Sequence, residues 1–505
     1  MLLIHPPVAK PCEPPSGIAR LSGALYAHGI KHTILDANLE ALIYNIDNAR
    51  HLTSGQYDKW TARALRNLSA NHEALKNLRT YQNIDRYKRG VIDLNHAIEQ
   101  MGKNGATPGI SNYSHEYLSP VKSDDLLLSA KRPEENPYYP YFSKRLPALI
   151  EKSDSKFAGF SLNYLSQALC TFAMIGFLKQ RFPDLSIILG GGLVTSWMRN
   201  PRWKNPFAGL VAHIVAGPGE EKLINILGVN DFKEGYYKPD YSLLPLDDYL
   251  SPGRILPYSA SSGCYWHKCS FCPEKAEGNS YMPVPADTAI DDINELSLKT
   301  KPVLIHMLDN AISESMLKKM AQNSSGINWY GFARITPLLA DIDFCIALKK
   351  SGCVMLKLGI ESGDQNVLDK MNKGIDIETA SLALKTLKRA GVATYVYLIF
   401  GTPAEALPSA RKTLEFVVNH KNEIGFLNVA IFNMPVCSAQ TLQFETRSFY
   451  EGDLSLYTDF THPEGWNRKD VRLFIENEFK RQNAVSEILK KDPPVFTSNH
   501  ASFFI

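Results

Sequence analysis

No stretch of this chain approaches the ~20 consecutive apolar residues that a membrane-spanning helix requires, so no membrane is expected among its partners. Charge of one sign is equally scarce. Against 55 Lys and Arg stand 52 Asp and Glu, and the net charge of +3 gives no electrostatic case for nucleic acid. Internal repeats and low-complexity tracts are missing, which excludes solenoids and disordered arrays. The opening Met1–His5 lacks the charged start and the apolar length of a signal peptide. A disulfide framework is missing too. Cys12, Cys170, Cys345, Cys353 and Cys437 are scattered in mostly apolar surroundings and read as reduced thiols of a cytoplasmic protein. The remaining composition, 44% hydrophobic and 21% charged, is that of a globular chain. Its 505 residues suffice for two or three domains.

The other three cysteines are not scattered. Cys264, Cys269 and Cys272 fall within nine residues, with four residues in the first gap and two in the second. They follow the apolar run Ile255–Tyr258, as a loop leaving a buried strand would. Thiolates are soft ligands for zinc or iron–sulfur clusters, and a closed site wants four protein ligands. No fourth cysteine lies within twenty residues on either side. Three ligands on a four-iron cluster leave one iron open to another molecule. The alternatives are a zinc knuckle completed by His267, or three unrelated core cysteines.

Upstream, short apolar runs alternate with helical periodicity. Leu2–Ile4, Thr33–Leu35, Phe157–Ser161, Leu185–Leu189 and His213–Ala216 read as strands, with helices after the first, third and fifth. This pattern implies a doubly wound parallel sheet, whose ligands bind outside the carboxyl ends of its strands. Those ends are Pro6 and Pro7, Ser161 to Asn163, Gly190, Gly191 and Gly192, and Gly217 to Gly219 followed by Glu220. A largely helical insertion, about 40–150, interrupts the sheet.

Downstream of a linker at 231–254 the strand-then-helix pattern resumes. The strands Val303–Leu308, Asn328–Ala333, Val354–Ile360, Thr394–Phe400 and Asn428–Phe432 end at Asp309, Arg334, Glu361 with Ser362, Gly401 and Pro435. With Ile255–Tyr258 they make six βα units, a partial (β/α)6 barrel with its chemistry at the C-terminal ends of the strands. Domains are therefore expected at 1–230, 255–438 and, as an extension packed on the barrel, 439–505. In that tail one helix is expected over Val471–Leu489. The polar Thr497, Asn499 and His500 among aromatics suggest an ordered segment in which His500 packs rather than transfers protons.

The cysteine triplet, Phe271, the segment Gly359–Asp364 with Met371–Lys373 after it, and Phe400–Glu405 together resemble the landmarks of cobalamin-binding-domain-containing radical S-adenosylmethionine (SAM) enzymes. The chain departs from that family in its four-residue first gap, where three is usual, and in Ala404 for a glycine. The resemblance implies that Cys264, Cys269 and Cys272 hold a [4Fe-4S] cluster and that Phe271 lies near the adenine of SAM. It places Asp309 at the amino group, Arg334 at the carboxylate, Glu361 or Ser362 at the ribose or methionine end, and Gly401 against the adenine. The N-terminal sheet resembles the family's cobalamin-binding domain. There Pro6, Pro7, Ser161, Asn163, Gly190, Gly191, Gly192, Gly217, Gly219 and Glu220 would contact cobalamin. The activity implied is reductive cleavage of SAM to an adenosyl radical, and methyl transfer through cobalamin to an unactivated carbon of a small-molecule or peptide substrate. An electron donor such as flavodoxin or ferredoxin is implied with it. Two alternatives stand: radical chemistry without functional cobalamin, giving rearrangement, cyclisation or oxidation, and a non-catalytic zinc- or cluster-bearing binding module. No residue is assigned a catalytic role.

Overall fold

In the computed structural model, residues 1–49, 56–229, 235–323, 326–496 and 500–505 are described. The chain divides into two compact units. The first comprises Met1–Ile255 with Tyr450–Leu456 and Pro494–Phe496. The second comprises Leu256–Phe449, Tyr457–Pro493 and the last residues of the chain. No helix among the described residues is long and apolar enough to cross a membrane.

The first unit is built on five strands: β1 (Leu2–His5), β2 (Thr33–Asp36), β3 (Phe157–Ser161), β4 (Ser186–Gly190) and β5 (His213–Val215). They lie in the order β2-β1-β3-β4-β5, all parallel. The chain leaves β1 to one side and returns from β2 to the other, so the topology reverses between β1 and β3, where open α/β sheets bind ligands. Alternate residues feed two cores. Leu3 and Ile188 join Ile18, Leu25 and Leu223, from the helices α1 (Ser16–Ala27) and α4 (Glu220–Ile226). Leu2, Ile4, Ile187 and Leu189 pack with Phe172 and Ile175 of α2 (Leu165–Arg181). A third helix, α3 (Gly192–Arg199), starts directly after β4.

The insertion begins as expected, with helices Ala37–Ala49 and Ile84–Glu99 and shorter ones between; 50–55 lie outside the described residues. Of the expected linker, 231–234 also lie outside them, and the remainder is tied to the first unit. Leu250 N–H donates to Pro11 O at 2.7 Å, and Tyr249 Oη donates to Asp36 Oδ2 at 2.7 Å. Two segments from beyond residue 439 join this unit: Leu454 N–H donates to Val121 O at 3.0 Å and enters the core.

The second unit carries β6 (Ile255–Tyr258), β7 (Leu304–Ile312), β8 (Asn328–Ala333), β9 (Cys353–Glu361), β10 (Ala393–Phe400) and β11 (Phe426–Ile431). Their order in the sheet is their order in sequence, and the pairs from β7 to β11 are parallel. Connecting helices include α5 (Ala286–Thr300), α6 (Glu314–Gln322), α7 (Ile342–Lys350), α8 (Ile377–Ala390) and α9 (Leu407–Asn419). This is the open arc of a (β/α)6 barrel; no pairing closes β6 onto β11 among the described residues.

Two expectations need correction. β7 does not stop before Asp309 but runs on to Ile312, through a register shift between Met307 and Ile312. The tail helix is not continuous: helix Arg468–Phe474 widens into a π turn over Ile475–Phe479, and a new helix starts at Asn483. The wide turn lets Phe474 and Phe479 both reach the Phe400 ring, at 5.8 and 5.1 Å. Residues 497–499, Thr497 and Asn499 among them, lie outside the described residues. His500 is buried against Tyr395 and Phe426, at 4.1 and 4.5 Å between ring centroids.

One helix contact is decisive for the first unit. At Gly176 in α2, an added Cβ would overlap the backbone of Ala130. Backbone cannot yield as a side-chain tip can, so Gly176→Ala should lower stability by about 1–3 kcal/mol despite alanine's better helix propensity. Urea or thermal unfolding checks this; an unchanged or raised midpoint would refute the packing of α2 against Ala130.

Candidate active site

The cysteine loop has a narrow base and little structure of its own. Ser261–Ser262 pairs antiparallel with Met282–Pro283, and Val284 N–H donates to Ala260 O at 2.8 Å, which pins both ends. Between these ends Cys269 is buried, while Cys264 and Cys272 are half-buried; all three are free thiols. They converge, since Cys264 lies within electrostatic reach of both others and Cys269 of Cys272. Cys272 begins the short helix Pro273–Ala276, and the backbone N–H groups of Glu274 and Lys275 donate to its sulfur. Burial nevertheless pushes that thiol up to about 11. Burial also raises Cys269, opposed by the nearby Lys373 and Arg334. Among the described residues no three His, Cys, Asp or Glu side chains are close enough to hold a single metal ion. Three thiols are soft donors of the kind that iron–sulfur clusters take, so the chemistry of this donor set fits such a group.

Around Cys269 the strand ends bring together several of the expected residues. Glu361, at the end of β9, takes a left-handed backbone (φ 70°), and its Oε1 receives Lys373 Nζ at 2.8 Å. Both side chains are nearly buried, and Gly359 provides the room: an added Cβ there would meet both charged ends. Breaking a buried pair of this kind typically costs about 3–5 kcal/mol. Arg334, after β8, donates from Nη2 to Lys373 O at 2.6 Å and more weakly to Gly374 O at 3.3 Å. The Phe271 ring lies 5.7 Å from Lys373 Nζ. Phe271 also lines a cavity of about 180 Å³ with Met371, Thr402, Pro403 and Ala404. The aromatic residue of the triplet and the loop after β10 therefore share one cavity.

Other expected contacts turn elsewhere. Asp309 is buried inside β7, with its oxygens taken by Ser261 Oγ at 2.5 Å and Ala260 N–H at 3.1 Å, so it braces the cysteine loop. Ser362 is fully buried, 3.2 Å from Thr413 Oγ1 of α9. Gly401 faces Val471 of the tail.

The roles of Lys373, Trp266 and Glu405 emerge only from the fold, although Lys373 and Glu405 lie within segments that the sequence marks. Glu405 is 1% exposed. Its Oε2 accepts from Gly401 N–H at 2.5 Å and Trp466 Nε1 at 3.2 Å, while Oε1 is buried without a partner among the described residues. Burial raises this carboxyl from 4.5 to about 7.

In the first unit, Gln167 of α2 ties the loops at the topology reversal: its Nε2 donates to Pro6 O at 2.7 Å, and its Oε1 accepts from Asn163 N–H at 2.9 Å. Pro7 is buried beside them. Asn163 Nδ2 donates to Ser161 Oγ at 3.1 Å, and Asn163 Oδ1 accepts from Gly192 N–H at 2.9 Å. Gly190 O accepts from Leu162 N–H at 2.7 Å, and Gly191 lies so close to Leu162 that a Cβ would overlap its backbone. Gly217 N–H donates to Thr195 Oγ1 at 2.9 Å, and a Cβ at Gly217 would meet nothing within 4 Å among the described residues. Gly219 precedes α4, whose Glu220 instead pairs with Arg20 at 2.6 Å.

The profile of the radical SAM superfamily matches residues 258–417. This chain carries a radical SAM domain. The match runs from β6 to α9 and so contains the three cysteines, Arg334, Glu361 and Lys373. The chain is 26% identical over 188 residues to an uncharacterised methyltransferase of Pyrococcus horikoshii, covering 35% of this chain and 40% of that protein. It is 25% identical over 185 residues to the anaerobic magnesium-protoporphyrin IX monomethyl ester cyclase of Rubrivivax gelatinosus, covering 35% and 33%. The chain thus spans well under half the length of these curated relatives. In fold it is similar to the radical SAM methyltransferase TsrM of Kitasatospora setae, solved with cobalamin and a [4Fe-4S] cluster. The TM-score is 0.50 at 14% identity, over 86% of this chain and 72% of that one.

The Glu405 carboxyl gives a pH signature. Its folded value lies above its ordinary one, so the native state holds a proton that the unfolded chain has lost between about pH 4.5 and 7. The stability Glu405 contributes is fully present below pH 4.5 and falls as pH rises to about 7, by on the order of 3 kcal/mol. Glu405→Gln, which mimics the protonated acid, should remove this slope and be more stable than the parent at pH 8. Equal pH profiles in urea unfolding would count against it.

Proposed function

We propose that this protein is a cobalamin-dependent radical SAM methyltransferase acting on a small molecule or peptide. The observation that carries the reading is the convergence of three free thiols beside Arg334, Glu361 and Lys373, at the C-terminal ends of a radical SAM sheet. Cys264, Cys269 and Cys272 would hold the [4Fe-4S] cluster. Phe271 and the Thr402–Ala404 loop would flank the adenine, and Arg334 would face the SAM carboxylate. In the first unit, the open space at Gly217 and the tied loops at Pro6, Asn163 and Gly192 would take cobalamin. When bound, these groups supply one-electron reductive cleavage of a C–S bond and methyl transfer. The fold likeness to a cobalamin-bound methyltransferase supports the cobalamin assignment. A flavodoxin- or ferredoxin-type donor would supply the electron.

For the substrate, the second unit offers a cavity of about 600 Å³ lined by Phe460, Leu473, Arg468, Lys469 and Arg472, among others. Arg447 and Asp459 also line it and pair with each other at 2.7 Å, and the lining Glu476 pairs with Lys480 at 2.6 Å. The lining suits an acidic substrate with an apolar body. The likeness to a cyclase favours, as a second reading, the same radical chemistry ending in ring closure.

Anaerobic reconstitution with iron, sulfide and hydroxocobalamin tests both readings. About four irons per chain and stoichiometric cobalt are expected, with the iron lost in Cys264→Ala, Cys269→Ala and Cys272→Ala. Label from the SAM methyl group should then pass to cobalamin. Iron without cobalt would leave only the second reading, and a folded chain that takes up no iron would overturn both.

A further inference from the structure

The four-residue gap between Cys264 and Cys269 has a structural counterpart. Within it His267 takes a left-handed turn (φ 48°), and the preceding Trp266 settles on the segment just after the short helix Gln365–Lys370. The indole makes contacts of three kinds there. Its Nε1 donates to Asn372 O at 3.0 Å. Its ring occupies the space that a Cβ at Gly374 would fill. The Arg334 guanidinium lies 4.2 Å from the ring centroid, with the Lys268 ammonium at 4.8 Å. Arg334 is itself bonded to Lys373 O and Gly374 O, so indole, guanidinium and the 372–374 backbone form one closed assembly. A second tie lies close by, since Ser270 N–H donates to Met371 O at 2.9 Å. Trp266 is thus the long side chain between the first two cysteines that bridges their loop to the segment carrying Lys373.

We propose that Trp266 is a positioning residue for the iron–sulfur site: it fastens the cysteine loop to Asn372–Gly374 and holds Arg334 beside the thiols. The inference rests on the reading that these thiols hold a cluster. The cation–π contact holds the guanidinium over the indole face, and a planar, bidentate donor is useful only when its position is fixed. A shorter or smaller side chain at 266 would release both the loop and Arg334. Trp266→Ala should undo both, whereas Trp266→Phe keeps the ring face for Arg334 and loses only the bond to Asn372 O.

Two readouts test this on the full chain. In the apoprotein, alkylation of Cys264, Cys269 and Cys272 by iodoacetamide, followed by mass spectrometry, should accelerate in Trp266→Ala with Trp266→Phe in between. Circular dichroism and the melting midpoint report whether each variant is folded. In the reconstituted protein, Trp266→Ala should bind iron about 10–100-fold more weakly, as loss of an outer-shell partner typically does. It should also lose the change that SAM induces in the electron paramagnetic resonance of the reduced cluster. Alkylation rates equal to the parent's in a folded Trp266→Ala chain would overturn the inference, whether or not the parent binds iron. So would parental iron affinity together with an intact SAM-induced change. A parent that binds no iron bears instead on the proposed methyltransferase function, and the alkylation rates still decide the docking role.

Discussion

The cysteine loop cannot hold its own shape, and the organisation of the second unit follows from that constraint. Between Gly263 and Cys272 it contains no helix and no strand. One of its internal backbone hydrogen bonds, from Cys272 N–H to Cys269 O, is long at 3.4 Å. Three thiols held at fixed separations therefore need support from outside. That support comes from Asp309 under Ser261, from Asn310 Nδ2 bonded to Gly263 O at 3.2 Å, and from the 371–374 segment under Trp266 and Ser270. The segment is in turn set by the Lys373–Glu361 pair, which ties it to the end of β9. Positive charge beside the thiols comes from the same supports, since Arg334 and Lys373 both act on Cys269.

Similar logic recurs at the other strand ends. The loop after β10 is closed by a buried carboxyl, Glu405, which binds Gly401 N–H and the Trp466 indole of the tail. His462 adds a 2.8 Å contact to Thr402 O. The tail thereby fixes one wall of the cavity that Phe271 shares. In the first unit a single amide, Gln167, joins the loops after β1 and β3 across the topology reversal. In each case a side chain satisfies backbone groups that a loop leaves open, Glu405 from four residues away and Gln167 and His462 also from far along the chain, as buried polar groups require.

The strands were legible because each is a short apolar run ended by glycine, proline or a polar residue. Phe157–Ser161, Ile255–Tyr258 and Asn328–Ala333 have the expected bounds in the structure. Side-chain direction was less legible. Asp309 reads as a strand-end residue, yet a register shift in β7 carries the strand past it and commits it to Ser261. Ser362 neighbours Glu361 in sequence but turns to Thr413, a contact that adjacency to Glu361 does not report. Trp266, Lys373 and Glu405 gain their roles from partners between 12 and 106 residues away, which no local pattern reports. The single expected tail helix failed because spacing alone does not reveal the π turn through which two phenylalanines reach Phe400.

On the proposed function, Cys264, Cys269 and Cys272 would leave one iron of the cluster open to SAM. Electron–nuclear double resonance on the reduced, reconstituted chain, with SAM carrying ¹⁷O in its carboxylate and ¹⁵N in its amino group, addresses it directly. Hyperfine coupling from both labels is expected, as SAM bound to the open iron would give. A cluster formed in full yet uncoupled to either label would contradict it.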